Sequence, residues 1–138
     1  MDFFAGVLTG LIVAVILQSA VGLFLQPVIE LREAIWAVDH SIIFYGNCYD
    51  ELAPEPLKIE AQHKFRVHSA ELSAKSHAII AYKFWSGCGL IPERKNILWA
   101  SGKLILLANL THDPRTAAAR DASTAEHEIR GLLRIYSA

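Results

Sequence analysis

Glu33 and His40 stand seven residues apart in the segment VIELREAIWAVDHSIIFYGNCY, with Glu30 and Asp39 beside them. On a helix that spacing returns to the same face, so a carboxylate and an imidazole there could share a proton as a general acid–base pair. A solvated polar strip has the same composition, and it is the reading favoured here. The other reactive side chains are more scattered. His63 and His68 are five apart, which splays them on a helix, and no cysteine lies within zinc-ligand spacing of either, so no metal site is expected. Cys48 and Cys88 are each solitary: idle thiols in a reducing compartment, or a single disulfide in an oxidising one. There is no glycine-rich phosphate loop, no GxSxG elbow and no HExxH pair. The sequence therefore predicts no enzyme and no cofactor. A net charge of −1 argues against a nucleic-acid partner.

Gln18 is the polar residue in the least ordinary place, inside FFAGVLTGLIVAVILQSAVGLFLQ. From Phe3 to Leu25 no residue is charged, and only Thr9, Gln18 and Ser19 are polar. As a helix the run reaches ~34 Å, enough for a ~30 Å hydrocarbon core with some tilt. A cleaved signal peptide would want a basic start, a shorter apolar stretch and a small residue where Gln18 stands, so an uncleaved anchor is expected. Within it Gly6, Gly10, Ala14, Gln18 and Gly22 recur every four residues and form one ridge. Small residues let helix backbones approach closely in lipid, and a glutamine amide there seeks a partner, worth roughly 0.6–2 kcal/mol. The ridge predicts close packing against membrane lipid's competitor: a second copy of this chain, or another membrane protein.

The elements behind the anchor read as helices, with no convincing strand. Gln26-Pro27 either kinks the first helix or begins a new one. Val28, Leu31, Ile35, Val38, Ile42, Tyr45 and Tyr49 then form a heptad stripe, expected to continue the packing below the anchor. Ile29, Trp36 and Ile43 make a second apolar line, which predicts a helix packed on two sides. DELAPEP, residues 50–56, is a break. A long helix is expected over 57–86, with Ala61, Phe65, Leu72 and Ile79 inward and Lys64, His68, Glu71 and Lys75 outward. Gly87 or Gly89 caps it, and Pro92 opens the next helix. Asp113-Pro114 starts a last one, alanine-rich at first, gaining an apolar face at Ile129, Leu132, Leu133 and Tyr136 while Arg115, Arg120, Arg130 and Arg134 stay wet.

Two further clusters carry alternatives. Tyr82, Lys83 and Trp85 combine aromatic rings with a snorkelling amine, as a membrane interface selects; the competing reading is a domain core with Lys83 reaching outward. Arg94-Lys95 reads as a solvated turn, with contact to anionic lipid or a partner's acids as the functional alternative.

Residues 74–110, AKSHAIIAYKFWSGCGLIPERKNILWASGKLILLANL, resemble a block in small bacterial single-pass membrane proteins that carry a similar GLIP-x-RKNI turn between two helices and an asparagine where Asn109 stands. Glu93 replaces the small hydroxyl residue of that pattern. The resemblance implies a bacterial membrane location; those proteins have no assigned activity, and no functional residue carries over.

The expected architecture is all-α: a single N-terminal transmembrane helix, residues 1–26, followed by a small helical bundle, residues 27–138. By the positive-inside rule Arg32 places the N-terminus outside and the domain in the cytoplasm. The expected function is an oligomeric membrane protein whose helical domain binds a partner or senses a signal, with a membrane-acting effector of bacterial defence as its specific form. An accessory subunit of a larger membrane complex is the alternative, and a membrane-associated enzyme the third.

Overall fold

Pro27 does not end the first helix. In the computed structural model, which describes residues 2–50, 52–112 and 118–135, α1 (Asp2–Ala20), a π-helical turn (Val21–Leu25) and α2 (Gln26–Tyr45) follow one another without a break. The Gln26 backbone N–H donates to the Val21 carbonyl, the five-residue step of a π turn. In ordinary α geometry the Pro27 ring would press on the Leu23 carbonyl; one extra residue in the turn relieves that clash and lets the helix continue. The 40-residue stretch Gly6–Tyr45 is the one helix, among the described residues, long and apolar enough to cross a membrane. The described residues of its first half are exposed, and burial begins at Val28.

From Val28 onward the heptad stripe is consumed inside the chain. Val28, Leu31, Ile35, Val38, Ile42, Tyr45 and Tyr49 are all buried. The second apolar line is not: Ile29, Trp36 and Ile43 are 47%, 61% and 66% exposed, so α2 is packed on one side only. It packs on α3 (Glu55–Ala78) and touches α6 (Ala118–Leu133), while α5 (Arg94–Leu110) packs against those two helices; no strand occurs among the described residues.

The helices alternate in direction. At one end the Tyr45 hydroxyl donates to Glu60 Oε1 at 2.8 Å, and His112 Nδ1 lies 3.3 Å from Glu55 Oε1. At the other, near the start of α2, Lys75 Nζ reaches the Glu30 carbonyl at 3.5 Å. The α3–α5 contact is the most extensive in the bundle, and small residues face each other in it. Ser101 Oγ donates to the Ser69 carbonyl at 2.9 Å and sits 2.8 Å from Ser69 Oγ, with Ala61, Ala100 and Ala108 fully buried nearby in the core. On α6 the alanines are not idle: Ala118, Ala122 and Ala125 continue the Ile129–Leu133 face into the core. Asp113, Pro114, Arg115 and Tyr136 lie outside the described residues.

The helix expected over 57–86 is two. It stops at Ala78; Ile79 is extended, Ala81 takes a left-handed φ of 56°, and a short α4 (Tyr82–Gly87) follows. Ile79 and Tyr82 are buried while Ile80 and Phe84 face outward. Gly89, at φ 75°, then closes α4: its N–H bonds to the Ser86 carbonyl and that of Leu90 to Trp85, the paired bonds of a Schellman cap.

Two glycines separate conformational from packing demands. A methyl group would meet no atom within 4 Å at either Gly89 or Gly102, but only Gly89 has a positive φ. Gly102→Ala, in the middle of α5, is expected to raise stability by about 0.5–1 kcal/mol. Gly89→Ala is expected to lower it by about 1–2 kcal/mol. Thermal unfolding of both variants in mild detergent checks the pair; equal shifts would contradict the assigned cap.

Candidate functional site

The ridge lies wholly on the unpacked half of the long helix. Gly6, Gly10, Ala14, Gln18 and Gly22 are exposed, and a methyl group at any of the three glycines would meet nothing within 4 Å. Nothing in the chain's own packing requires glycine there. At ~100° per residue, with about one residue added by the π turn, Ala14 lies roughly 170° from the centre of the buried α2 stripe. The ridge therefore points away from the bundle. By the same arithmetic exposed Trp36 falls within roughly 60° of it. The stripe Val28, Leu31, Ile35, Val38 and Ile42, expected to continue the anchor's contact, is instead committed to the chain's own core.

The acid–base candidates do not converge. Glu33 and His40 are exposed and form no bond with each other. Glu30 accepts from Gln26 Nε2 at 3.3 Å, and His40 stacks on Phe44. Asp39 is engaged structurally: Arg130 Nε donates to its Oδ1 at 2.9 Å, tying α6 to α2 where the two helices otherwise barely touch. Arg130, expected to stay wet, is thus half-buried in this pair. Among the described residues no three His, Cys, Asp or Glu side chains gather into a metal-binding group. Both cysteines are free. Cys48 is buried, and burial pushes its thiol up to about 11; Cys88 is exposed at the end of α4.

His68, expected on the outer face of α3, is buried. Its Nε2 shares a 2.8 Å hydrogen bond with Ser41 Oγ, while its buried Nδ1 lies 3.4 Å from Glu71 Oε2 without hydrogen-bond geometry. Burial holds the imidazole below its usual 6.5, assisted by Lys64 and opposed by Glu71. The sequence signal was the polar pair Ser41–His68 at otherwise apolar phases, legible only once the helices are aligned.

The three expected interface residues separate. Tyr82 is buried; its hydroxyl donates to the Pro92 carbonyl at 2.8 Å, and burial pushes it up to about 12. Trp85 is half-buried with its Nε1 donating to the Ile80 carbonyl at 3.2 Å. Lys83 and Phe84 point outward. The end of the bundle nearest the start of α2 holds two adjoining clefts. One, of about 390 Å³, is lined by Ile35, Trp36, Leu90, Ile91, Leu133 and Ile135 with Arg32 and Arg134 at its edge. The other, of about 500 Å³, is lined by Tyr82, Lys83, Ser86, Gly87, Glu93, Arg94, Lys95 and Arg134. Arg94 and Lys95 were singled out as a pair; Lys83 and Arg134 join them from two other elements, which spacing alone could not show.

The His68 shift has a sign. Its folded-state pKa lies below the unfolded one, so the unfolded chain binds the proton more readily and stability declines as pH falls through and below about 6.5. Glu126, whose carboxyl burial pushes up, acts in the opposite direction. Wild type is expected to lose thermal stability between pH 7.5 and 5.5, values chosen about one unit either side of the imidazole's usual pKa, and His68→Gln to lose less. Parallel pH profiles for the two proteins would place the sensitivity elsewhere.

No protein-family model, curated protein or solved structure matches this chain.

Proposed function

We propose that the chain is a single-pass protein of the bacterial inner membrane that self-associates along its long helix and carries a cytoplasmic helical domain that binds a partner or responds to a signal. The observation that carries this reading is the ridge of Gly6, Gly10, Ala14, Gln18 and Gly22: exposed, apolar in setting, unneeded by the chain's own packing and turned away from its bundle. Two copies meeting there bring backbones close enough for dispersion contacts and allow Gln18 amides to pair. Their bundles then sit on the outside, without collision. Exposed Ile29, Trp36 and Ile43 extend the contact down α2, a role the buried heptad stripe does not have.

Orientation rests on more than Arg32. The anchor end of the bundle also carries Lys75, Lys83, Arg94, Lys95 and Arg134, against Glu30, Glu33 and Glu93. A basic face beside the membrane is favoured on the cytoplasmic side.

The oligomeric state of the purified full-length chain in mild detergent, by sedimentation equilibrium, tests the first part. Wild type is expected as a defined oligomer and Gly6→Ile/Gly10→Ile as a monomer, since two branched side chains separate the backbones. A monomeric wild type would end the self-association reading and point to a different protein as the ridge's partner. Orientation is read from Cys88: a membrane-impermeant maleimide should label it only after bacterial cells are broken, and labelling of intact spheroplasts would reverse the topology.

A further inference from the structure

We infer that the basic cleft between α4, the first turn of α5 and the end of α6 binds the phosphate group of an anionic phospholipid. Four cations converge on it from three elements: Lys83, Arg94, Lys95 and Arg134. Its one acid, Glu93, is taken by Lys95 at 2.8 Å. Among the described residues, Lys83, Arg94 and Arg134 make no ion pair or side-chain hydrogen bond. Four cations against one carboxylate leave the cleft net positive, with Glu93 offsetting Lys95 and part of Arg134, so an anion there would relieve the remaining repulsion.

The donors are also held in place. Arg94 lies with its guanidinium carbon 4.6 Å from the centre of the Tyr82 ring, and that ring is itself pinned by its bond to Pro92. Arg94 Nε is buried with no partner, so the outer guanidinium nitrogens are the ones left to a ligand. A planar guanidinium fixed in this way suits the two-pronged recognition of phosphate, and Lys83 and Lys95 add point charges. Arg134 is fixed by its backbone: at φ 55° it closes α6 with a Schellman cap, in which Ile135 N–H bonds to the Arg130 carbonyl at 2.9 Å. Ser86 adds a hydroxyl to the lining.

Placement favours a lipid over a free anion. The apolar cleft that shares Arg134 also contains Arg32, about 10 Å along the helix from Leu25, the last apolar residue of the unpacked run; that is headgroup depth if Leu25 marks the edge of the hydrocarbon. Exposed Phe84 and Leu90, 62% and 44% accessible, lie on the same end of the bundle, where acyl and glycerol groups would cover them and inorganic phosphate would not. This inference rests on the reading that the long helix crosses a bilayer.

The test titrates the full-length chain, in neutral detergent at low salt, with short-chain phosphatidylglycerol, short-chain phosphatidylcholine and inorganic phosphate, by calorimetry. Phosphatidylglycerol is expected to bind at least about tenfold more tightly than either of the others, and Lys83→Ala/Lys95→Ala to weaken it by about tenfold or more with no change in melting temperature or oligomer mass. Arg94→Gln should act likewise; should it unfold the domain, the lysine variant still decides. Equal binding of the two lipids, or an unaffected lysine variant, would overturn the proposal. Inorganic phosphate binding as tightly as phosphatidylglycerol would overturn the lipid assignment and leave a free-phosphate site. Alkaline carbonate separates this from the membrane reading: a chain released from membranes refutes that reading, whereas a retained chain without lipid selectivity refutes only this inference.

Discussion

An unbroken helix through Pro27 imposes the constraint on which the arrangement depends. A proline inside a helix normally forces a kink, yet here one residue is added to the turn before it and the axis continues. The extra residue changes phase by about 100°. Without it, the small-residue ridge would stand roughly 90° from the α2 stripe that enters the core; with it, the two are nearly opposite. A local accommodation of one missing N–H thereby decides which side of the apolar segment is left clear of the domain. The ridge and the core stripe then act independently, one available outside the chain and the other committed within it.

The bundle hung from this helix is held unevenly. Between α3 and α5, serines and alanines allow the backbones close together, and the Ser69–Ser101 bonds satisfy polar atoms that such an approach would otherwise strand. Between α2 and α6 contact is slight, and the Asp39–Arg130 pair bridges the seam. At the anchor end that seam opens into the apolar cleft with Arg32 and Trp36 on its walls. The slight contact is thus confined to the seam between α2 and α6, each of which packs extensively on another helix. The two clefts share Arg134 at the end of α6.

Much of the fold was legible from apolar spacing alone. The stripe from Val28 to Tyr49 and the inner positions Ala61, Phe65, Leu72 and Ile79 are buried as their periodicity predicts, because three-and-four spacing reports one face of a helix directly. What periodicity does not report is how many faces find partners. Ile29, Trp36 and Ile43 repeat as cleanly as the core stripe and remain exposed, since a second apolar line says that burial is favourable and not that this chain supplies the surface. The break at Ile79–Ala81 was hidden for a related reason: an all-apolar stretch has no phase, so a change of direction within it leaves no mark. His68 looked outward because its neighbours Lys64, Glu71 and Lys75 are charged, while its own phase lies beside buried Ser69 and Leu72.

The basic cleft shows the limit of local reading from the other direction. Arg94-Lys95 in isolation is a two-residue cluster of the kind that ordinarily sits in water, and Lys83 and Arg134 are distant from it in sequence. Three terminations bring them together: the left-handed Ala81 that aims α4, the Gly89 cap that turns the chain into α5, and the left-handed Arg134 that ends α6. Each of these is a place where a helix stops, and helix ends collect at the same end of an up-and-down bundle. With the chain's net charge near zero, a local excess of cations there must be balanced by acids elsewhere, and Asp50, Glu55 and Glu60 lie toward the opposite end.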